Sequence, residues 1–150
     1  MSFKGDILFV RVTIVDKSLP MPKYHTEGSV GFDFYCRESC EIPPKEFKLI
    51  PQNLIVETPK THALLIFARS SLHKKGLLLL NGVGVVDQDF CGPENEIKAI
   101  LYNYTDTIVK VEKGDRLVQG LFLDVLIPEF EDCPQIKEVS RGGIGSTGHR

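Results

Sequence analysis

Hydrophobic positions in this chain come in short runs that are separated by polar and turn residues. The runs are rich in β-branched and aromatic residues and are bounded by Pro, Asn, Thr or Gly, which is typical of β-strands. The predicted strands cover residues 7–15, 47–50, 54–57, 62–68, 96–103, 107–111 and 116–127. Short strands at close spacing favour a β-sandwich or barrel, so we expect an all-β fold.

Three segments depart from this strand pattern. Residues 70–75 (SSLHKK) are suited to one helical turn, which Ser70 or Ser71 could cap and Gly76 could end. Residues 128–139 are polar and contain two prolines, so they are predicted to be a connector. The following residues, 140–150, are rich in glycine, and ordering them costs entropy unless a ligand or a neighbouring molecule holds them.

Length, charge and cysteine content narrow the class of protein. A chain of 150 residues fits a single domain with a real core. A net charge of −2 disfavours general nucleic-acid binding, and no apolar run is long enough for a membrane span, so we expect neither partner. The cysteines do not form a zinc pattern and are predicted to be free thiols in the cytoplasm; they are Cys36, Cys40, Cys91 and Cys133.

Two segments in the first half of the chain carry candidate chemistry. In residues 28–34 (GSVGFDF), Asp33 stands between aromatic residues. It could lie near a cation or fix neighbouring loops, although a loop that enters a strand explains it as well. Arg69, Ser70 and Ser71 open the helical turn, where backbone N–H groups, hydroxyls and a guanidinium suit an anion. An ordinary cap with an exposed arginine is equally consistent with this pattern.

Residues 81–90 (NGVGVVDQDF) are the richest internal segment. Gly82 and Gly84 allow a hairpin or the close approach of a ligand. Asp87 follows an apolar pair, and a carboxylate there can act as general base on a water; the alternative is a plain hairpin with acidic turn residues. The segment matches neither the dinucleotide-binding fingerprint nor the P-loop.

A fourth segment, residues 114–119 (GDRLVQ), places Arg116 and Gln119 on a predicted strand after a turn. The histidines have no metal-ligand spacing and receive no role; they are His25, His62, His73 and His149. In the tail, a guanidinium, hydroxyls and exposed backbone N–H groups suit a phosphate chain.

Taken together, the five segments resemble, in order and spacing, the five motifs of the homotrimeric dUTPase family (deoxyuridine triphosphate nucleotidohydrolases). The resemblance runs from about Val12 to Gly148. It implies one domain with a distorted jelly-roll β-barrel of the β-clip type. Residues 1–127 would form the barrel, 128–139 the connector, and 140–150 an arm that closes a neighbouring subunit's site.

The family resemblance also implies a homotrimer with three shared sites. One chain would supply the first, second and fourth motifs, the next chain the third motif, and the last chain its arm. The implied reaction is hydrolysis of dUTP to dUMP and pyrophosphate, which limits uracil incorporation into DNA and supplies dUMP for thymidylate synthesis.

The roles implied by the resemblance centre on Asp87 as the base that activates a water. Mg²⁺ would be held mainly by the triphosphate, with Asp33 contacting it indirectly through water. The implied substrate-binding residues are Arg69, Ser70, Ser71, Asn81, Gly84, Val85, Val86, Phe90, Lys98, Gln119, Arg141, Ile144, Gly145, Ser146 and Thr147.

Within that set, Arg69, Ser70, Gln119 and the arm would hold phosphate oxygens. Asn81 and the backbone of residues 84–86 would match the edge of uracil, and the ring of Phe90 would exclude a 2′-hydroxyl.

Three features depart from the family pattern. Phe90 stands where tyrosine is more frequent, residues 91–95 lengthen a connection, and Ile144 stands where phenylalanine usually covers the base. We therefore expect a weakened lid and a raised KM. Two alternatives are a dCTP deaminase, which shares the fold, and a non-catalytic dUTP-binding regulatory trimer. No segment resembles the deaminase signature, and the presence of Asp87 argues against the second alternative.

Overall fold

The computed structural model describes residues 7–144 and 147–148, which form eleven β-strands and one short 3₁₀ helix. No α-helix occurs in this part of the chain, so the expected all-β class is confirmed. The strands are β1 (Arg11–Ile14), β2 (Phe32–Asp33), β3 (Cys40–Ile42), β4 (Phe47–Pro51), β5 (Leu54–Glu57), β6 (His62–Ala68), β7 (Leu77–Leu79), β8 (Gly84–Val86), β9 (Lys98–Asn103), β10 (Val109–Val111) and β11 (Val118–Asp124).

The strands pair antiparallel in four sheets. The largest sheet has the order β2-β11-β6-β8, and its longest ladder joins β11 to β6 from Val118↔Ala68 to Asp124↔His62. A second sheet has the order β4-β9-β7, and the other two sheets are the pairs β1-β5 and β3-β10. The large sheet matters most for function because it carries the first four candidate segments.

A single apolar core lies between these sheets. Alternate positions of β9 point inward, as a strand with one buried face requires. Each fully buried Leu, Ile or Val side chain contributes roughly 1.5–3 kcal/mol relative to an exposed one, and the core draws such residues from every sheet. The fully buried members include Phe34, Ile42, Ile50, Val56, Leu64, Leu77, Leu101 and Val118.

The ends of the chain differ from the predicted strands. The observed strand β1 is shorter than the predicted strand 7–15 and begins only at Arg11. Arg11 already pairs with Glu57, the last residue of β5. No further β5 residue is available, and Ile7, Leu8 and Phe9 are exposed. The predicted strand 116–127 also shortens, to β11, because its partner β6 begins at His62 opposite Asp124.

The predicted helical turn is present as the 3₁₀ helix Leu72–Lys75. Gly76 ends it with a left-handed φ of 78°, as expected for a glycine at this position. Ser71 occupies the N-cap position, but its hydroxyl makes no capping hydrogen bond, so the predicted side-chain cap is wrong. The backbone supplies the contact instead, because the N–H of Leu72 donates to the carbonyl of Arg69 at 3.0 Å.

The segment after β11 is exposed from residue 123 to residue 144 and contains no strand beyond Asp124 in the described part. It nevertheless carries large apolar side chains in contact with water, including Leu126, Phe130 (99% exposed) and Ile136. The division into barrel, connector and arm stays a prediction. Over the described ranges, no helix is long and apolar enough to cross a membrane.

Candidate functional site

A pocket of about 560 Å³ brings together most of the third candidate segment. Its floor is apolar and includes Ile66, Ile97 and Ile100. The expected site residues that line it are Asn81, Gly84, Val85, Val86, Asp87, Phe90 and Lys98. The pocket therefore joins carboxylates, amides, an aromatic ring and an ammonium group beside apolar side chains, which is typical of a small-molecule site.

The backbone of the turn between β7 and β8, together with β8, shapes this pocket. Gly82 has a φ of 71°, a left-handed conformation that glycine adopts without strain. At Gly84, an added Cβ would lie 3.1 Å from the Cβ of Ile66, so β8 runs close against β6. The predicted hairpin is wrong, because the strands on either side of this turn lie in different sheets: β7 pairs with β9, whereas β8 pairs with β6. Both glycines still have a physical role, since the N–H of Gly82 donates to the carbonyl of Leu79 at 3.0 Å and Gly84 lets β8 approach β6.

Asp87 stands directly after the buried Val86, at the end of β8. Its carboxylate is exposed, and no ion pair engages it within the described residues. The carbonyl of Asp87 accepts a hydrogen bond from the N–H of Phe90 at 3.1 Å, which closes the following turn. The carboxylate is thus free to accept a proton from a water in the pocket.

A second group of residues surrounds Asp33 on β2. The Asp33 side chain is 9% exposed, and its Oδ1 forms an ion pair with Arg69 Nε at 2.9 Å. Its Oδ2 lies 3.2 Å from Arg116 Nη1, and Arg69 Nη1 donates to the carbonyl of Arg116 at 2.9 Å. One carboxylate therefore fixes two guanidinium groups that come from two other candidate segments.

His25 also belongs to this group, although its spacing in the sequence predicts no role for it. Its Nε2 lies 3.1 Å from Arg116 Nη1 and 3.4 Å from Asp33 Oδ2. The same ring nitrogen therefore lies within reach of a guanidinium, which can only donate, and of a carboxylate, which accepts. A lone histidine in a loop carries no sequence signal of such a contact, apart from its position shortly before the first segment.

Gln119 and the serines complete the second group. Gln119 Nε2 donates to the carbonyl of Ala68 at 3.1 Å, directly before Arg69. Ser70 and Ser71 follow Arg69 and are exposed. The second and fourth segments are therefore joined by side-chain contacts. Their exposed hydrogen-bond donors lie together at one end of the two central strands of the large sheet, β6 and β11.

The two groups lie at opposite ends of β6. Val86 pairs with Leu64, so Asp87 is near the beginning of β6, whereas Arg69 follows its last residue, Ala68. Six residues separate the two ends, which at about 3.3 Å per residue places Asp87 and Arg69 about 20 Å apart. A single chain does not bring the carboxylate of Asp87 to the arginines.

The arm residues lie apart from both groups. Arg141, Ile144 and Thr147 are exposed, and none of them lines the pocket beside Asp87. Gly145 and Ser146 lie outside the described residues. The predicted contact of the arm with substrate is therefore a prediction about a neighbouring molecule.

The side chains of the described residues are better suited to a metal ion that is bound mainly by the ligand's phosphates than to a metal ion that is held by protein ligands alone. Across residues 7–144 and 147–148, no group of three or more His, Cys, Asp or Glu side chains could hold an ion. Both oxygens of Asp33 are already paired with arginines, but each retains a lone pair for a water. Mg²⁺ bound mainly by phosphates needs only one or two protein carboxylates.

Comparison with known proteins gives one consistent result. A family model described as dUTPase matches residues 17–148. The chain is 42% identical over 132 residues to deoxyuridine 5′-triphosphate nucleotidohydrolase of Lactococcus lactis, covering 85% of this chain and 87% of the relative. It is 39% identical over 153 residues to the protein of the same name from Desulfitobacterium hafniense, covering 98% and 97%.

Solved structures agree with the fold. A dUTPase from Streptococcus mutans superposes with a TM-score of 0.71 at 34% identity, covering 77% of this chain and 97% of the other. The dUTPase of Staphylococcus bacteriophage 80alpha with dUpNHpp has a TM-score of 0.80 at 20% identity, covering 93% and 98%. These matches confirm the predicted jelly-roll fold class.

Proposed function

The chain belongs to the dUTPase family, and from this premise we propose that it hydrolyses dUTP to dUMP and pyrophosphate. The observation that carries the proposal is the pocket that holds the exposed carboxylate of Asp87 together with Asn81 and Phe90. A base, a polar group for the nucleobase and a ring for the sugar then line one cavity. The proposed role in the cell is removal of dUTP and supply of dUMP, and we propose a cytoplasmic location because the four cysteines are free thiols.

The proposed active site is shared between chains of a homotrimer. The separation of about 20 Å between Asp87 and Arg69 supports this arrangement, because a base and a phosphate clamp must both reach one triphosphate. The exposed apolar side chains of the segment after β11, such as Leu126 and Phe130, are further support, since a contact with another subunit would bury them.

In the proposed mechanism, Asp87 orients a water and takes its proton as the water attacks the α-phosphorus. The bond from that phosphorus to the bridging oxygen breaks, and pyrophosphate leaves. Arg69, aligned by Asp33, stabilises the charge that grows on the phosphate oxygens. Ser70, Ser71, Gln119 and the arm residues Arg141, Ser146 and Thr147 add donors around the phosphate chain.

When bound, Mg²⁺ chelated by the triphosphate would offset part of the developing negative charge. Asp33 would contact it only through water, since arginines already occupy both carboxylate oxygens.

Selectivity is proposed to come from the turn before β8 and from β8 itself. Asn81 and the backbone of residues 84–86 can offer donors and acceptors to the edge of uracil. Cytosine exchanges an acceptor for a donor and would leave a buried polar group unpaired, which costs affinity. Phe90 and Lys98 line the same pocket and would pack against the sugar and the phosphate chain.

The test is pyrophosphate release from dUTP, dCTP, dTTP and UTP with Mg²⁺, with Asp87→Asn as the control. We expect turnover of dUTP alone at a high rate, and a loss of about 10²–10⁴-fold in kcat in the variant. Similar rates with all four nucleotides contradict the proposed selectivity. Release of ammonia from dCTP indicates the deaminase alternative, and full activity of Asp87→Asn excludes the assigned base.

A further inference from the structure

Gln88 follows the proposed base and has a role that the mechanism above does not include. Its Nε2 lies 2.9 Å from the carbonyl of His62, 3.0 Å from that of Lys60 and 3.4 Å from that of Pro59. A carboxamide nitrogen can only donate, and all three partners are acceptors. Gln88 thus ties the turn after β8 to the loop before β6.

That loop is itself a firm anchor. The N–H of His62 donates to the carbonyl of Pro59 at 2.9 Å, and the N–H of Val125 donates to the carbonyl of Thr61 at 3.1 Å. The His62 ring lies between Thr61 Oγ1, at 2.7 Å, and Asp124 Oδ1, at 3.0 Å. The loop is therefore fixed to the end of β11. The hydrogen bonds of Gln88 in turn fix the backbone next to residue 87 to this loop.

Asp87 has little else to hold it. Its carboxylate takes part in no ion pair within the described ranges, and it lies between two open pockets of about 560 and 640 Å³. Because both pockets are open within one chain, the Asp87 side chain has room to rotate. Its direction depends on the backbone of the turn, which is closed by the bond from Phe90 N–H and anchored by Gln88.

We propose that Gln88 is a positioning residue, which holds Asp87 in the orientation needed to take a proton from the attacking water. This inference rests on the proposed function. Proton transfer requires the base within hydrogen-bond reach of the water, and a misplacement of about 1 Å can cost about 10²-fold in rate. Binding of uracil and phosphates uses other residues, so loss of Gln88 lowers kcat and leaves KM nearly unchanged.

The test compares Gln88→Met, which keeps the length and removes the donors, with Gln88→Lys, which restores donors. For Gln88→Met we expect kcat for dUTP to fall about tenfold or more, with KM and the Kd of dUpNHpp within about twofold of the native protein. Gln88→Lys recovers most of the lost kcat, because its ammonium group reaches the same carbonyls.

A matched control is Gln52→Met. Gln52 is a fully buried carboxamide that does not line the pocket, and its Nε2 donates to the carbonyl of Ile50 at 2.9 Å. This variant lowers the unfolding temperature and keeps kcat per folded molecule. A native kcat in Gln88→Met overturns the inference, as does a loss that only follows the folded fraction. If the native protein itself releases no pyrophosphate from dUTP, the proposed function fails first and this inference fails with it.

Discussion

At the residue scale, Asp33 links three of the candidate segments through one side chain. Its Oδ1 forms an ion pair with Arg69, its Oδ2 accepts a hydrogen bond from Arg116, and His25 contacts the same carboxylate. Hydrogen bonds between charged partners are stronger than neutral ones. The position of the guanidinium groups is therefore set by a residue that need not touch substrate directly.

Replacing Asp33 by Asn keeps the shape of the side chain and removes its charge. We expect a loss of roughly 1–3 kcal/mol in the free energy of unfolding, because two guanidinium groups lose a charged acceptor. KM for dUTP should rise because Arg69 is no longer aligned. Urea unfolding and steady-state kinetics measure both effects, and unchanged values of both would show that the cluster has no such role.

Burial of the Cys36 thiol makes the free energy of unfolding depend on pH, and the direction of its pKa shift sets the sign of this dependence. The thiol is 0% exposed, and desolvation raises its pKa to about 11 from the ordinary value of 9.0. The unfolded chain therefore loses this proton first, so the contribution of the thiol to stability is complete below about pH 9 and is lost towards pH 11.

Cys36→Ala should be less stable than the native protein at pH 8, since it leaves a cavity. The difference should shrink as pH rises from about 9 to about 11. Urea midpoints of both proteins across this window measure the difference, and a constant gap would contradict the assigned pKa.

At the element scale, β-branched runs predict the central strands well. β4, β5 and β6 lie where residues 47–50, 54–57 and 62–68 indicated. β3 and β7 were not predicted, because three-residue strands give too few positions for a period to show. β1 and β11 are shorter than their apolar runs because a strand ends where its partner ends, and partners are not visible in a single sequence.

The contacts of the candidate site also divide into those that the sequence predicts and those that it does not. Most of the expected site residues that line the pocket come from residues 81–90 and could be predicted from their order along the chain, whereas its apolar floor comes from β6 and from residues 97–100. The contact of His25 with Arg116 and the contacts of Gln88 with residues 59–62 join positions far apart in sequence. Such contacts depend on register and on loop shape, which local patterns do not encode.

The arm offers one prediction of its own, at Ile144. An isoleucine covers a base without aromatic stacking, which is worth about 1–3 kcal/mol per base. Ile144→Phe should therefore lower KM for dUTP by roughly five- to tenfold. The matched control is Ile136→Phe, which adds the same ring in the predicted connector and should leave KM unchanged; equal KM values in all three proteins would exclude a contact of residue 144 with the base.

At the scale of the whole molecule, one chain keeps the two groups of the proposed site apart. The pocket beside Asp87 and the arginine cluster lie on the same sheet, at opposite ends of β6. Neither group suffices for hydrolysis of a triphosphate, because the base must act where the phosphates are held. We therefore propose that each active site combines Asp87 of one subunit with Arg69 of another.

Mixing two inactive variants tests this claim most directly. Asp87→Asn and Arg69→Ala are co-expressed in equal amounts, and native mass spectrometry verifies that hybrid trimers form. Each parent alone should be nearly inactive. In the mixture, about one quarter of the sites combine an intact Asp87 with an intact Arg69 from different chains, so we predict up to about a quarter of native dUTP turnover. Hybrid trimers that are as inactive as their parents would contradict a shared site.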